Sequence, residues 1–288
     1  MKVALTFPLV FTLAVAFAAA QTTTPVASPL DRASTYVTAF MRDFSTVVAE
    51  ERYVQDSHPM PQVDDIGPTR RVSQAAPQHV ELQSDLLFVR PDPSGLWLTF
   101  RDVSTVNGRA VRDRADRLAN LFVGRPPDAP DAIDRAWEIA RDGYRFNIGS
   151  KDRTVADPFV ALAFLQAKYR QRFEFKVSSI DTTRGPDVWI LKFKERVRPT
   201  ILRTADDRNV LSTGRFWIDG ESGRVLQTEL ETSVGDRVMT TFAFDERLGI
   251  DVPAEMRDIA WHDGTVVTGV ATYTNFRRFD VSTGEKFR

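Results

Sequence analysis

From Arg170 onward the chain is a succession of short runs in which apolar and polar residues alternate, broken by turn formers. Phe173, Phe175 and Val177 alternate with Arg172, Glu174 and Lys176, and Trp189, Leu191 and Phe193 alternate with Ile190, Lys192 and Lys194. A two-residue period is that of a half-buried strand. Further runs at 209–219, 224–231, 237–244, 254–261 and 265–278 are separated by turns such as Ser233-Val-Gly-Asp236 and His262-Asp-Gly264. Connections this short favour antiparallel pairing, because parallel strands need crossovers of roughly a dozen residues or more. The clearest hairpin spans Arg215 to Leu230, where Phe216 and Ile218 alternate with Arg215, Trp217 and Asp219. Its reversal falls between Gly220 and Gly223, residues that take positive φ at little cost.

The preceding half is mixed. Leu30, Ala33, Val37, Phe40, Phe44 and Val47 recur at steps of three and four, which lines one face of a helix, with Ser28-Pro29 as cap and first turn. A first strand is expected to end near Gln55. The stretch 56–78 carries Pro59, Pro61, Pro68 and Pro77 and reads as a long exposed loop. Strands at 80–90 and 96–103 flank Pro91-Asp-Pro-Ser-Gly95, and Asn107-Gly108 marks another reversal. Helical spacing then appears at 113–122, at 131–141 and from Asp157-Pro158 through Tyr169, placing three helices between the strands.

Lys2, the apolar run Val3 to Phe17 and Ala18-Ala19-Ala20 form an export signal over 1–20, and 21–28 reads as a short tether. The apolar run is short of the roughly 20 residues a membrane span needs, and no later run suffices. Residues 29–288 then make a single α+β domain in the periplasm or outside the cell. No cysteine is present, so the fold must hold by burial without disulfides, and Cys-based zinc sites and Cys nucleophiles are excluded. The formal net charge of −1 gives no footprint for nucleic acid.

Catalytic signatures are absent. His58, His79 and His262 are scattered rather than spaced as ligands on one helix face, so no metal site and no cofactor is expected. No Gly-x-Ser-x-Gly elbow marks a nucleophile. Glu50-Glu51 is a pair of carboxylates, but neighbours on a strand face opposite ways. They read as one solvated charge and one partner for an arginine. Arg109, Arg112, Arg114 and Arg117 interleave with Asp113 and Asp116, as on a salt-laced exposed face.

Aromatic residues are the sharper signal. Phe100, Phe173, Phe175, Trp189, Phe193, Phe216 and Phe276 are expected on one side of a curved sheet, with Phe122, Trp137, Phe159 and Phe164 on helices that cover it. Each large ring buries about 150–250 Å², so such a face does not stay wet. Whether helices fill it completely or leave an apolar cavity stays open on sequence grounds. If a cavity exists, its walls are Leu118, Phe122, Trp137, Phe164, Phe173, Trp189, Phe216 and Leu226.

The hairpin Trp217-Ile-Asp-Gly-Glu-Ser-Gly-Arg-Val-Leu-Gln-Thr-Glu229 resembles the Trp-Ile-Asp, turn, Gly hairpin of the outer-membrane lipoprotein carrier (LolA-like) superfamily, and 248–256 with Val252-Pro253 is similar to the segment before that family's last strands. The resemblance implies a curved antiparallel sheet, an incomplete barrel, with helices over its concave face. It implies a periplasmic protein that carries acyl chains of lipoproteins, binds other lipids or senses envelope stress. The matched hairpin is structural and transfers no binding residue. The chain is longer than the carriers and adds the 56–78 stretch. The expectation is a non-catalytic binder of a hydrophobic small molecule or acyl chain, with an envelope protein as a further partner. The alternatives are an interaction or sensor module with a filled core, and an exported hydrolase.

Overall fold

The computed structural model describes residues 28–66, 69–73, 75–89, 98–112, 142–149, 155–204, 206–262 and 264–278. The expected export signal, most of the tether, and the helices expected at 113–122 and 131–141 lie outside them.

Helix α1 (Pro29–Phe44) begins as its sequence dictates. Ser28 Oγ accepts from the Asp31 N–H at 3.2 Å while the Ser28 N–H donates to Asp31 Oδ2 at 3.3 Å, a reciprocal cap with Pro29 at the first position. Ala33, Val37, Phe40, Met41 and Phe44 form its buried stripe.

The strands described are β1 (Val47–Pro59), β2 (Gln62–Ile66), β3 (Thr69–Ser73), β4 (His79–Val89), β5 (Leu98–Val106), β6 (Arg109–Ala110), β7 (Phe173–Ile180), β8 (Val188–Glu195), β9 (Leu202–Arg203), β10 (Asn209–Val210), β11 (Ser212–Asp219), β12 (Val225–Thr232), β13 (Arg237–Asp245), β14 (Ile250–His262) and β15 (Thr265–Arg278). Eleven of them make one sheet in the order β6-β5-β4-β1-β15-β14-β13-β12-β11-β8-β7. Neighbouring strands run antiparallel, and the order does not return on itself to close a barrel. The centre of the sheet joins the two ends of the chain, with Tyr53 opposite Ala271 and Val54 opposite Val270.

The hairpins follow the turn chemistry. Asn107 and Gly108 both have positive φ, 49° and 74°, and turn β5 into β6. In the β11–β12 hairpin Gly223 has φ 77°, and a Cβ there would stand 2.5 Å from the Arg32 carbonyl carbon of α1. Gly220 serves differently from expectation: its φ is not positive, and a Cβ would meet Asp187 Oδ2 at 2.2 Å and Trp189 Nε1 at 2.5 Å.

Three other expectations are corrected. First, 56–78 is not one loop: β1 runs on to Pro59, and β2 and β3 pair as a hairpin, Val63 opposite Val72. Pro59 and Pro61 fall at the end of β1 and before β2, so they interrupt no ladder. Second, 157–169 is not one helix. A 3-10 turn at Leu162–Leu165 and a one-turn helix α2 (Ala167–Arg170) are split by Gln166, which is extended at ψ 140° and sends its amide to Met41 Sδ at 3.0 Å. Third, Phe100 leaves the expected face. It lies opposite Leu87, whereas Arg101 lies opposite Leu86, a core residue, so the arginine points to the core side and Phe100 to the other face of the sheet, where it is nonetheless buried.

The core is continuous. Sheet residues such as Leu86, Phe88, Phe193, Phe216, Ile218, Leu230 and Met256 pack with α1 and with Ala156, Phe159, Leu162, Phe164 and Leu165.

A buried polar row beside an aromatic face

Two aromatic groups make the inner face. Around α1, the Phe44 ring centroid lies 5.5 Å from Phe40, 5.2 Å from Phe88 and 4.9 Å from Phe159, and Phe88 and Phe159 are 4.3 Å apart. At the β7 side, Phe164 is 4.7 Å from Phe173 and 5.6 Å from Phe193, which stacks on Phe216 at 4.8 Å. The structure thus brings together Phe164, Phe173 and Phe216 of the residues named as cavity walls. Leu118, Phe122 and Trp137 lie outside the described residues.

Trp189 and Leu226 stand apart from the core cluster. Trp189 is half-buried and donates its Nε1–H to Asp187 Oδ1 at 2.6 Å, a polar contact at the end of β8. A bulge between Trp217 and Ile218 sets Val225, not Leu226, opposite Ile218. One inserted residue exchanges the faces of its neighbours.

The inner side of β1 changes character along its length. Val47 and Ala49 are apolar, but Glu51, Tyr53, Gln55 and Ser57, at the next inward positions, are buried as well. Glu51 meets Arg101: Arg101 Nη2 donates to Glu51 Oε1 at 2.8 Å, Arg101 Nε donates to Glu51 Oε2, and Ser84 Oγ donates to that same oxygen at 2.9 Å. Arg101 Nη2 also donates to the Ala156 carbonyl at 3.2 Å. The guanidinium lies 4.9 Å from the Tyr53 ring centroid and 5.5 Å from that of Tyr144. Beyond it, Tyr53 donates to Asp258 Oδ1 at 2.7 Å, in space left by Gly269, where a Cβ would be 2.1 Å from that oxygen. Gln55 donates to Asn147 Oδ1 at 3.3 Å and accepts from the Ile148 N–H at 3.2 Å. Two buried donors, Arg101 Nη1 and Asn147 Nδ2, have no hydrogen-bond partner among the described residues.

Burial opposes the charge on Arg101, but the Glu51 carboxylate outweighs it and the guanidinium is held protonated above its ordinary value. Burial, then the neighbouring Asp157, pushes the Tyr144 hydroxyl up; burial, then Glu51, does the same to Tyr273. Asp157 is itself raised by burial, against hydrogen bonds from the Thr99 side chain and the Phe159 N–H, the latter at 2.7 Å. The row therefore offers fixed hydrogen-bond donors.

Sequence reasoning found half of this. Glu51 is the partner of an arginine, and Glu50 is the solvated member, accepting from Asn275 Nδ2 at 2.7 Å and lying 3.7 Å from Arg277. Asp157 was legible only as a cap, which it is for the Phe159 N–H, and Tyr144 and Tyr273 carried no signal, since only the fold gathers them. His58 lies 3.4 Å from Thr268 Oγ1 and His79 pairs with Asp56 at 2.7 Å, both on the surface. Among the described residues no group of three His, Cys, Asp or Glu is placed to hold a metal, and no helix is long and apolar enough to cross a membrane.

No protein-family model matches the chain, and no curated protein matches it in sequence. Among solved structures it is similar to a DUF1329 family protein from Desulfovibrio piger, with 9% identity, a TM-score of 0.37 and coverage of 90% of this chain and 96% of that one. It is similar also to a domain from Vibrio parahaemolyticus described as an outer membrane lipoprotein-sorting protein, with 12% identity, a TM-score of 0.40, and 89% and 93% coverage. A third match is the MucA/MucB complex of Pseudomonas aeruginosa, with 9% identity, a TM-score of 0.21, and 86% and 99% coverage.

Proposed function

We propose that the protein is exported to the periplasm and, without catalysis, holds an acyl chain or lipid between the inner face of its bent sheet and the helices over that face. What supports this reading is that a phenylalanine-rich side of the sheet packs, among the described residues, against α1 and the short 3-10 turn at Leu162–Leu165, with Tyr169 of the one-turn α2 beside them. Each buried methylene contributes about 0.8 kcal/mol, so sheltering ten supplies about 8 kcal/mol before ordering costs. One-turn elements open locally at far less than the global cost. Phe164, Phe173 and Phe216 are the walls we assign; Trp189 and Leu226 would sit at the rim.

Native mass spectrometry of the protein purified gently from its own envelope tests the reading. A mass increment identified as lipid is the expected result; a clean apo mass argues for the rival reading. That rival, an interaction or sensor module acting on an envelope protein, is favoured by the ring contacts of 4.3–6.0 Å, which already fill much of the face.

A further inference from the structure

The buried polar row adjoins the aromatic face directly. Arg101 lies opposite Leu86, bonds to the carbonyl of Ala156, and is two residues along its strand from core Val103; Leu86, Ala156 and Val103 all belong to the apolar cluster that includes Phe88 and Phe159. This arginine therefore stands at the border between the apolar cluster and the polar row. Resting on the carrier reading, we propose that the polar end of the bound ligand is uncharged, an ester or amide rather than a free carboxylate or phosphate, with its carbonyl oxygen accepting from Arg101 Nη1.

Two observations carry the assignment. The first is need: Arg101 is 2% exposed, and its Nη1–H group lacks an acceptor while Nε and Nη2 are engaged. A buried donor without a partner is unfavourable, and a carbonyl oxygen satisfies it. Asn147 Nδ2 is a second such donor on the segment carrying Tyr144, whose ring faces the same guanidinium. The second is charge. Arg101 is the only buried cation among the described residues, and Glu51 already neutralises it through two hydrogen bonds. Asp157 stands close enough to feel Arg101 and Glu51, and Asp258 lies beyond Tyr53. An incoming anion would find no unspent positive charge and two or three carboxyl groups, in surroundings that screen poorly. A neutral acceptor meets no such repulsion.

The test uses the full chain at pH 8, with bound Nile red displaced by palmitate, palmitamide and 1-palmitoylglycerol, which share one hydrocarbon chain. The expected result is that palmitamide and 1-palmitoylglycerol displace the dye at concentrations at least tenfold below palmitate. Palmitate binding as tightly as either neutral ligand overturns the proposal while leaving the carrier reading standing. Displacement by none of the three overturns both. In Glu51→Gln the charge of Arg101 loses its counter-ion, and palmitate is expected to close the gap by about tenfold; an unchanged gap removes Arg101 from the role. That variant leaves a buried cation uncompensated, so the three-ligand comparison on the unmodified chain decides the matter if the variant does not fold.

Discussion

At the scale of single residues, the Glu51–Arg101 pair is where most is at stake. Both side chains are within 2% of complete burial, unlike pairs such as Arg42–Asp43 on the surface, which contribute little. Removing one partner strands the other's charge, so Arg101→Leu is expected to cost about 3–5 kcal/mol in urea unfolding. The double replacement Glu51→Leu with Arg101→Leu is expected to recover most of that loss; a double variant as unstable as the sum of the singles would mean that the two side chains are not coupled and would refute the pairing. Asp157 bears on pH. Its folded pKa is raised above 3.8, so the folded state binds more protons than the unfolded one and stability falls as pH rises from about 4 toward the folded value. Asp157→Asn removes that share of the fall. Unfolding midpoints across pH 4–8 should therefore decline less steeply in the variant, and an identical slope in both proteins would refute the assignment. Glu195, also raised by burial, keeps a slope of the same sign.

At the scale of elements, the β11–β12 turn shows a glycine doing two things. Gly223 has φ 77° and presses against the Arg32 backbone; Gly249 has φ 70° with nothing within 4 Å of a Cβ. Gly249→Ala is expected to cost about 1 kcal/mol, for the dihedral alone, and Gly223→Ala about 2 kcal/mol or more, because a helix backbone has to move. Equal unfolding midpoints for the two variants would show that α1 does not rest on this turn. This hairpin, α1 and the 79–106 meander were legible in the sequence because period, cap and turn residues agree there. What stayed illegible depended on partners far along the chain. Gln166 breaks a helical pattern to reach Met41, a bulge exchanges Leu226 for Val225, and Arg101 faces inward against its own polarity because Glu51, 50 residues away, waits for it. Phe173 and Phe216 were legible as sharing a face because strand alternation survives any register error of two, whereas Phe164 joins them from a 3-10 turn.

At the scale of the whole molecule, β1 pairing with β15 makes the middle of the sheet the last part that synthesis completes, while the segment 155–170 that joins its core is local in sequence. Residues 155–170 form one-turn pieces held by bonds such as Leu162 N–H to Phe159 O at 3.0 Å and Phe164 N–H to Ala161 O at 3.1 Å. Each can open without breaking a strand ladder. β1 and β15 have ladder partners on both sides, β4 and β14, so their amides open only when the sheet comes apart. Hydrogen exchange should therefore be slowest at residues such as Val54 and Val270 and faster by orders of magnitude at 162–170, with the β7 edge intermediate. A carrier needs that separation, since cargo must enter while the sheet stays folded. Amides of Phe164 and Leu165 as slow as those of Val54 would mean that the inner face is exposed only by global unfolding. The acyl chain would then have no way in.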